Sequence, residues 1–118
     1  MRRLLIALLS ALLLTGCEDD SVTRVDGGAV ALTVADYRYA PQNVSVRRGQ
    51  VFIALRNEGR LATNLVLRRG KRERGRIDTL EPGGFGTLIV DLRPGTYTLG
   101  SSTGRHEVLG QHGTLTVR

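Results

Sequence analysis

The chain has 118 residues, a formal net charge of +6 at pH 7 and a single cysteine. This length suits one small domain, and a single thiol excludes an internal disulfide, a redox-active cysteine pair and a zinc site built from several cysteines. Three tyrosines, two phenylalanines and no tryptophan are too few for a stacking platform that binds nucleic acid or sugars.

The N-terminus has the pattern of a secretory signal. Arg2 and Arg3 precede an apolar run at residues 4–14 that only Ser10 interrupts. The run is shorter than the ~20 residues that a membrane-spanning helix needs. The sequence therefore predicts a cleaved export signal at residues 1–16 and not part of the fold.

The end of this run resembles the bacterial lipobox. It reads Leu14-Thr15-Gly16-Cys17, and the resemblance implies that Cys17 is acylated, for example with palmitate, and becomes the first mature residue. Acyl chains contribute about 0.8 kcal/mol per buried CH₂ to membrane binding. The expected location is the cell envelope, on the extracytoplasmic side of a bacterial membrane, with residues 17–28 as lipidated cysteine and flexible tether. The alternative is an ordinary signal peptide with a chance cysteine.

After the tether, apolar and polar residues alternate with the period of two that is typical of β-strands. Glycine, proline and asparagine separate the strands, and no segment past residue 17 has the apolar period of a helix. The sequence thus predicts an all-β fold in residues 29–118, a Greek-key β-sandwich of seven to eight strands with an aliphatic core. Strands are predicted at Ala29–Ala35, Asn43–Arg47, Val51–Arg56, Asn64–Arg68, Phe85–Leu92, Thr96–Leu99 and Thr114–Val117.

Several segments, taken in order, resemble small bacterial cupredoxins of the plastocyanin and azurin type. The resemblance covers residues 29–118 and implies a cupredoxin-like sandwich with a metal-binding loop near the C-terminus. The segments are DYRYAP at 36–41, NVSV at 43–46, NEG at 57–59, TNLVL at 63–67, LEPG at 80–83 and LRPGTY at 92–97.

The resemblance also assigns the positions of a type 1 copper site, which needs two histidines, a cysteine thiolate and a weak axial ligand. His106 matches the second histidine and Gln111 the axial ligand. The first histidine position is Thr63 and the cysteine position is Ser101. With two ligand positions lost, we expect no type 1 copper and no other cofactor, and copper remains the alternative.

Neither missing ligand has a substitute nearby in the sequence. The single cysteine is Cys17, in the lipobox, and the two histidines are His106 and His112, both near the C-terminus. His106, His112 and Gln111 are the remaining metal candidates, for a loose copper, zinc or nickel site. The alternative is that His106 is a relic of the former site, while Asn64 and Ser102, which match positions bracing the ligand loop, keep that loop folded without metal.

A strongly basic run occupies residues 68–76, with six basic residues in nine. It lies between predicted strands, so it is predicted to be a loop or a hairpin tip. As an anion-binding arm it would meet an anionic lipid surface or an acidic protein; a solvated tip is the alternative, and nucleic acid is not expected outside the cytoplasm. The anion-binding candidates are Arg68, Arg69, Lys71, Arg72, Arg74 and Arg76.

The sequence contains no recognisable set of catalytic residues. A Ser-His-Asp arrangement, a glycine-rich phosphate loop and a cysteine pair are all missing, so an enzyme is not expected. The sequence favours a membrane-anchored lipoprotein whose domain acts as a binding or structural module. The alternative is a protein that binds copper or another metal through His106, for metal handling or electron transfer.

Overall fold

The computed structural model describes residues 21–118, so the predicted signal peptide and Cys17 lie outside the described residues. No helix in this range has the length and apolar character to cross a membrane. The described chain forms ten strands. They are β1 Thr23–Arg24, β2 Ala29–Ala35, β3 Arg38–Ala40, β4 Asn43–Val46, β5 Gly49–Asn57, β6 Thr63–Arg69, β7 Arg72–Leu80, β8 Phe85–Leu92, β9 Gly95–Gly100 and β10 Gly113–Val117.

The strands form two sheets, in the orders β1-β4-β10-β9-β6-β7 and β3-β2-β5-β8. In the first sheet β10 runs parallel to β4 and antiparallel to β9. In the second, β5 runs parallel to β2 and antiparallel to β8. Strands that are distant in sequence lie side by side, as in a Greek-key sandwich. The predicted all-β sandwich is confirmed.

The core lies between the two sheets and is formed by alternate residues of each strand. In β5, Val51, Ile53 and Leu55 are fully buried while Phe52 is exposed. This is the alternation expected when one face of a strand packs on a core and the other faces solvent. The core includes Val30, Leu32, Val34, Tyr39, Val44, Val46, Val51, Ile53, Leu55, Leu65, Leu67, Ile77, Leu92, Tyr97, Leu99, Leu115 and Val117.

Three strands were not predicted: β1, β3 and β7. The sequence of β7, RERGRIDTL, buries only Ile77. It is an edge strand held by backbone pairing with β6, so the apolar alternation that identifies a strand is missing from its sequence. The short β1 pairs with β4 through Thr23 and Arg24. The first sheet therefore begins within the segment that the sequence assigned to the tether.

Strand direction separates the domain into two ends. Thr63 begins β6, and Gly100 ends β9 before the loop at residues 101–112. These residues define the ligand-position end. At the opposite end, which we call the arginine end, β6 finishes at Arg69 and β9 begins at Gly95.

Candidate functional site

Three of the four predicted ligand positions are in direct contact at the ligand-position end. The hydrogen bond between Thr63 Oγ1 and His106 Nδ1 is 3.0 Å long, and Gln111 Nε2 donates to Thr63 Oγ1 at 2.7 Å. Thr63 begins β6, whereas His106 and Gln111 lie in the loop between β9 and β10. The Thr63 hydroxyl has one proton and two lone pairs, so it can accept from Gln111 and still form a hydrogen bond with His106 Nδ1.

The fourth position, Ser101, joins the same cluster through Asn64. Ser101 Oγ donates to Asn64 Oδ1 at 2.8 Å, and Asn64 Nδ2 donates to Ser102 Oγ at 2.8 Å. The Ser102 backbone and the Thr103 hydroxyl also donate to Asn64 Oδ1, at 3.0 and 3.1 Å. The side chain next to Thr63 therefore binds the start of the loop to β6, as expected of residues that brace this loop.

Tyr39 forms the floor of this cluster. Its hydroxyl lies 2.7 Å from the Asn64 carbonyl and 2.8 Å from the Gly100 carbonyl, and it accepts from Gln111 Nε2 at 3.1 Å. Burial raises the pKa of Tyr39 to about 12, against a smaller lowering by the hydrogen bond from Gln111. Sequence reasoning did not assign Tyr39 to the site, and its only signal was its place within the DYRYAP segment.

Glu107 fastens the middle of the loop to β6. Its Oε1 accepts from Arg68 Nη1 at 2.8 Å and from the Ser101 backbone at 2.9 Å. Burial is the largest influence on this carboxyl and raises its pKa, but the hydrogen bonds from Arg68 and Ser101 together lower it below the ordinary value. Arg68 is therefore part of the loop's anchorage.

His106 is also covered from the side. The Tyr37 ring meets the imidazole edge to face, with 5.2 Å between centroids. Tyr37 has φ 67°, a left-handed conformation that is uncommon for a residue other than glycine and is often found at functional sites. The gap that His106 lines together with Thr63, Asn57 and Gln111 has no room for a water-sized group. The cluster is therefore tightly packed.

These donors do not fit a type 1 copper. The ligand positions supply one imidazole, one carboxamide and two hydroxyl groups, while the site needs a thiolate and a second imidazole. The imidazole nitrogen that faces the cluster is hydrogen-bonded to Thr63. Within residues 21–118, no three histidine, cysteine, aspartate or glutamate side chains gather into a metal-binding group.

His112 lies apart from its predicted partners. Gln111 is 1% exposed and points into the cluster, whereas His112 is exposed. Its described hydrogen bonds are made by the backbone: the carbonyl accepts from the Gln42 side chain at 3.2 Å, and the N–H donates to the Gly110 carbonyl at 2.9 Å. The structure therefore brings His106 and Gln111 together but leaves His112 outside their hydrogen-bond network.

The basic run forms the tip of a β-hairpin, which is one of the two arrangements that the sequence predicted. The run extends β6 to Arg69, turns at Gly70-Lys71 and continues into β7 from Arg72. Strand β7 was not evident from the sequence because an edge strand needs no apolar alternation. The predicted anion-binding residues have different surroundings. Arg68 forms an ion pair with Glu107, and Arg76 forms one with Glu73. Lys71 is exposed in the turn. The other candidates line a cleft at the arginine end, formed by Arg69, Arg72, Arg74, Arg93 and Tyr97.

No family model matches the sequence, and no curated protein matches it. Solved structures do match the fold. The sodium dithionite-reduced auracyanin from the photosynthetic bacterium Roseiflexus castenholzii aligns with 80% of this chain and 99% of its own, with a TM-score of 0.74 and 17% identity. Auracyanin B aligns with 78% of this chain and 90% of its own, with a TM-score of 0.70 and 17% identity. Auracyanins are cupredoxins, and at this identity the similarity shows the fold: residues 21–118 form a cupredoxin-like β-sandwich domain.

Proposed function

We propose that this chain is a lipid-anchored extracytoplasmic protein whose cupredoxin-like domain acts without a type 1 copper, as a binding or structural module. The observation that carries the proposal is the pair of hydrogen bonds that Thr63 makes, with His106 at 3.0 Å and with Gln111 at 2.7 Å. Side chains at the positions that would ligate copper in a cupredoxin are hydrogen-bonded to one another here.

The physical argument concerns buried polar groups, which cost free energy unless they are hydrogen-bonded. In a metal site, the imidazole lone pair is satisfied by the ion. Here the Thr63 hydroxyl is the hydrogen-bond partner of His106 Nδ1, and the Tyr39 and Thr63 hydroxyl groups accept hydrogen bonds from the amide of Gln111. Copper at His106 Nδ1 would have to break the contact with Thr63 and would find no thiolate in exchange. Protein groups are therefore sufficient to hold the loop in place.

The proposed location rests on the sequence of the N-terminus. The basic start, the apolar run and the Leu14-Thr15-Gly16-Cys17 ending support export followed by acylation of Cys17. A domain displayed in this way would meet its partner through loops and edges. The surface best suited to this role is the arginine-bearing hairpin β6–β7, and we propose no catalytic activity.

Copper titration of the full chain tests the metal-free role. The protein would be purified in detergent and titrated with Cu(II) and with Cu(I), with calorimetry and visible absorption as readouts. A Cys17→Ala variant controls for the thiol outside the domain. We expect no stoichiometric binding; one copper per chain with sub-micromolar affinity would contradict the proposal. If His106→Ala then abolished that binding, metal handling through His106 would replace it.

The anchor has a separate test. Cells expressing the chain would be labelled with a clickable palmitate analogue, and the membrane fraction would be compared for the native sequence and Cys17→Ala. We expect label and membrane retention in the native chain and loss of both in the variant. An unlabelled, fully released native chain would show that Cys17 is not a lipidation site.

A further inference from the structure

We infer that the cleft at the arginine end binds a phosphate-bearing group. Four arginines and one tyrosine line a cleft of about 520 Å³, which lies within the usual ~300–1,000 Å³ of small-molecule sites. It lies at the opposite end of the strands from the Thr63–His106 cluster. The inference rests on the proposed role of the domain as a binding module and names the ligand class of one of its surfaces.

Two neighbouring turns bring the arginines together. Arg69 and Arg72 are register partners across the hairpin turn. The register then passes from Arg68 opposite Glu73 to Leu67 opposite Gly75, so Arg74 is the extra residue of a β-bulge, a feature that redirects side chains. Arg93 comes from the turn between β8 and β9. The fold thus brings together guanidinium groups from β6, from β7 and from the turn before β9.

One of these guanidinium groups is held firmly before any ligand arrives. Arg69 Nη1 donates to the Tyr97 hydroxyl at 3.3 Å, and its guanidinium carbon lies 5.4 Å from the centre of the Tyr97 ring. The Tyr97 hydroxyl in turn donates to the Arg93 carbonyl at 2.8 Å. A Cβ added at Gly95 would lie 2.8 Å from Arg69 Nη2, so glycine at this position leaves the space that the guanidinium occupies.

The charge in the cleft is not neutralised by the described protein. All five lining residues are arginine or tyrosine. The two ion pairs of residues 21–118, Arg68 with Glu107 and Arg76 with Glu73, involve other arginines. Converging like charges repel one another, and an anion bound among them removes that cost while gaining charge-assisted hydrogen bonds.

The chemistry of the cleft favours phosphate over a single carboxylate. Each guanidinium presents a planar fork that matches the oxygens of either group. A phosphate monoester carries about −1.5 to −2 charges and three acceptor oxygens, so it offers several arginines more charge and more acceptors than the two oxygens of one carboxylate do. The shared ligand chemistry is a phosphate monoester, whether on a lipid headgroup or on a soluble molecule.

Calorimetry on the full chain in detergent tests this inference, with glycerol 3-phosphate and inorganic phosphate as probes. The test variant is Arg72→Gln/Arg74→Gln, because neither side chain has a described structural contact. The matched control, Arg38→Gln/Arg56→Gln, removes the same charge from exposed positions of the second sheet. We expect saturable binding of at least one probe, a loss of about tenfold or more in the test variant, and a change within about twofold in the control.

The outcomes separate a built site from diffuse charge. Tighter binding of glycerol 3-phosphate than of inorganic phosphate would show that the cleft also recognises the organic part of a monoester, and equal binding would show that it recognises the phosphate group alone; either supports the inference. Equal losses in both double variants, or no saturable binding, would overturn it. That failure would leave the proposed metal-free role untouched, since the copper titration reads the opposite end of the domain.

Discussion

Thr63 Oγ1 and His106 Nδ1 are joined by a 3.0 Å hydrogen bond across 43 residues of sequence. Thr63 stands at the position that the cupredoxin resemblance assigns to a histidine ligand, and Gln111 donates to the same hydroxyl. The Thr63 hydroxyl thus forms hydrogen bonds with the side chains of both His106 and Gln111. In a copper site, the metal and its other ligands would have to satisfy these two polar groups. Four predictions concern this hydroxyl, the side chains of the cluster and the loop that they hold.

Replacing Thr63 with valine keeps the shape of the side chain and removes its hydroxyl. We expect Thr63→Val to lower the free energy of unfolding by about 1–3 kcal/mol, because the buried Gln111 amide and His106 Nδ1 lose a partner. Urea unfolding followed by circular dichroism measures the change. Thr63→Ser keeps the hydroxyl and should recover most of the loss; equal destabilisation by serine would show that the methyl group matters more than the hydrogen bonds.

Introducing the two donors that the cupredoxin resemblance predicts for a type 1 site should create a copper site where none is expected. In Thr63→His/Ser101→Cys, the new side chains would join His106 and Gln111 to complete a type 1 ligand set. We expect the copper-loaded double variant to show the intense visible absorption of a copper–thiolate bond, with neither single variant doing so. A colourless double variant that still folds would mean that these positions are not arranged as copper ligands.

Glu107 should support stability at neutral pH and lose that effect in acid. Burial is the largest single influence and raises its pKa, but the hydrogen bonds from Arg68 and Ser101 together lower the folded pKa below 4.5. A lowered folded pKa means that the contribution is present above pH 4.5 and disappears as the pH falls below it. Since the side chain is 39% exposed, solvent screening reduces the effect.

The measurement for Glu107 is the melting temperature between pH 3 and pH 7. The native chain should lose more stability over this interval than Glu107→Gln, whose amide does not titrate. Glu73→Gln, at an exposed ion pair on β7, is the comparison for a carboxylate outside the loop. Parallel pH curves for the native chain and Glu107→Gln would refute the role of Glu107.

Tyr39 should limit stability in alkali. Its folded pKa is about 12 against an ordinary value of 10.0, mainly because of burial. A raised pKa for an acid favours the neutral folded form, so stability is intact below pH 10 and falls as the pH rises from 10 toward 12. We expect Tyr39→Phe to be less stable at neutral pH by about 1 kcal/mol, from lost hydrogen bonds, but to decline less above pH 10.

Ultraviolet absorption at each pH separates the tyrosines for this test. Phenolate formation in the native chain should show one group that ionises together with unfolding, and Tyr39→Phe should lack it. If that late-ionising group persisted in Tyr39→Phe, another tyrosine would be responsible for the alkaline loss of stability.

The sequence by itself determined the parts of the fold that a side-chain pattern encodes. In strands such as β2 and β8, more buried and more exposed side chains alternate because one face packs on the core, and their bounds, Ala29–Ala35 and Phe85–Leu92, match the prediction. The resemblance in turns and spacing also placed Thr63, His106 and Gln111 at one site, and in the structure Thr63 is hydrogen-bonded to both of the other two. Lipidation of Cys17 stays a prediction from the lipobox alone.

Only the tertiary structure decided what depends on backbone pairing and on contacts between distant segments. The edge strand β7 has no apolar alternation because it is held by its neighbour's backbone, so its sequence could not reveal it. The same pairing divided the basic run, since Arg68 forms an ion pair with Glu107 while Arg69 lines the cleft together with Arg93. A local sequence specifies which side chains are charged, but the register of distant strands decides which of those charges are neutralised and which remain available to a ligand.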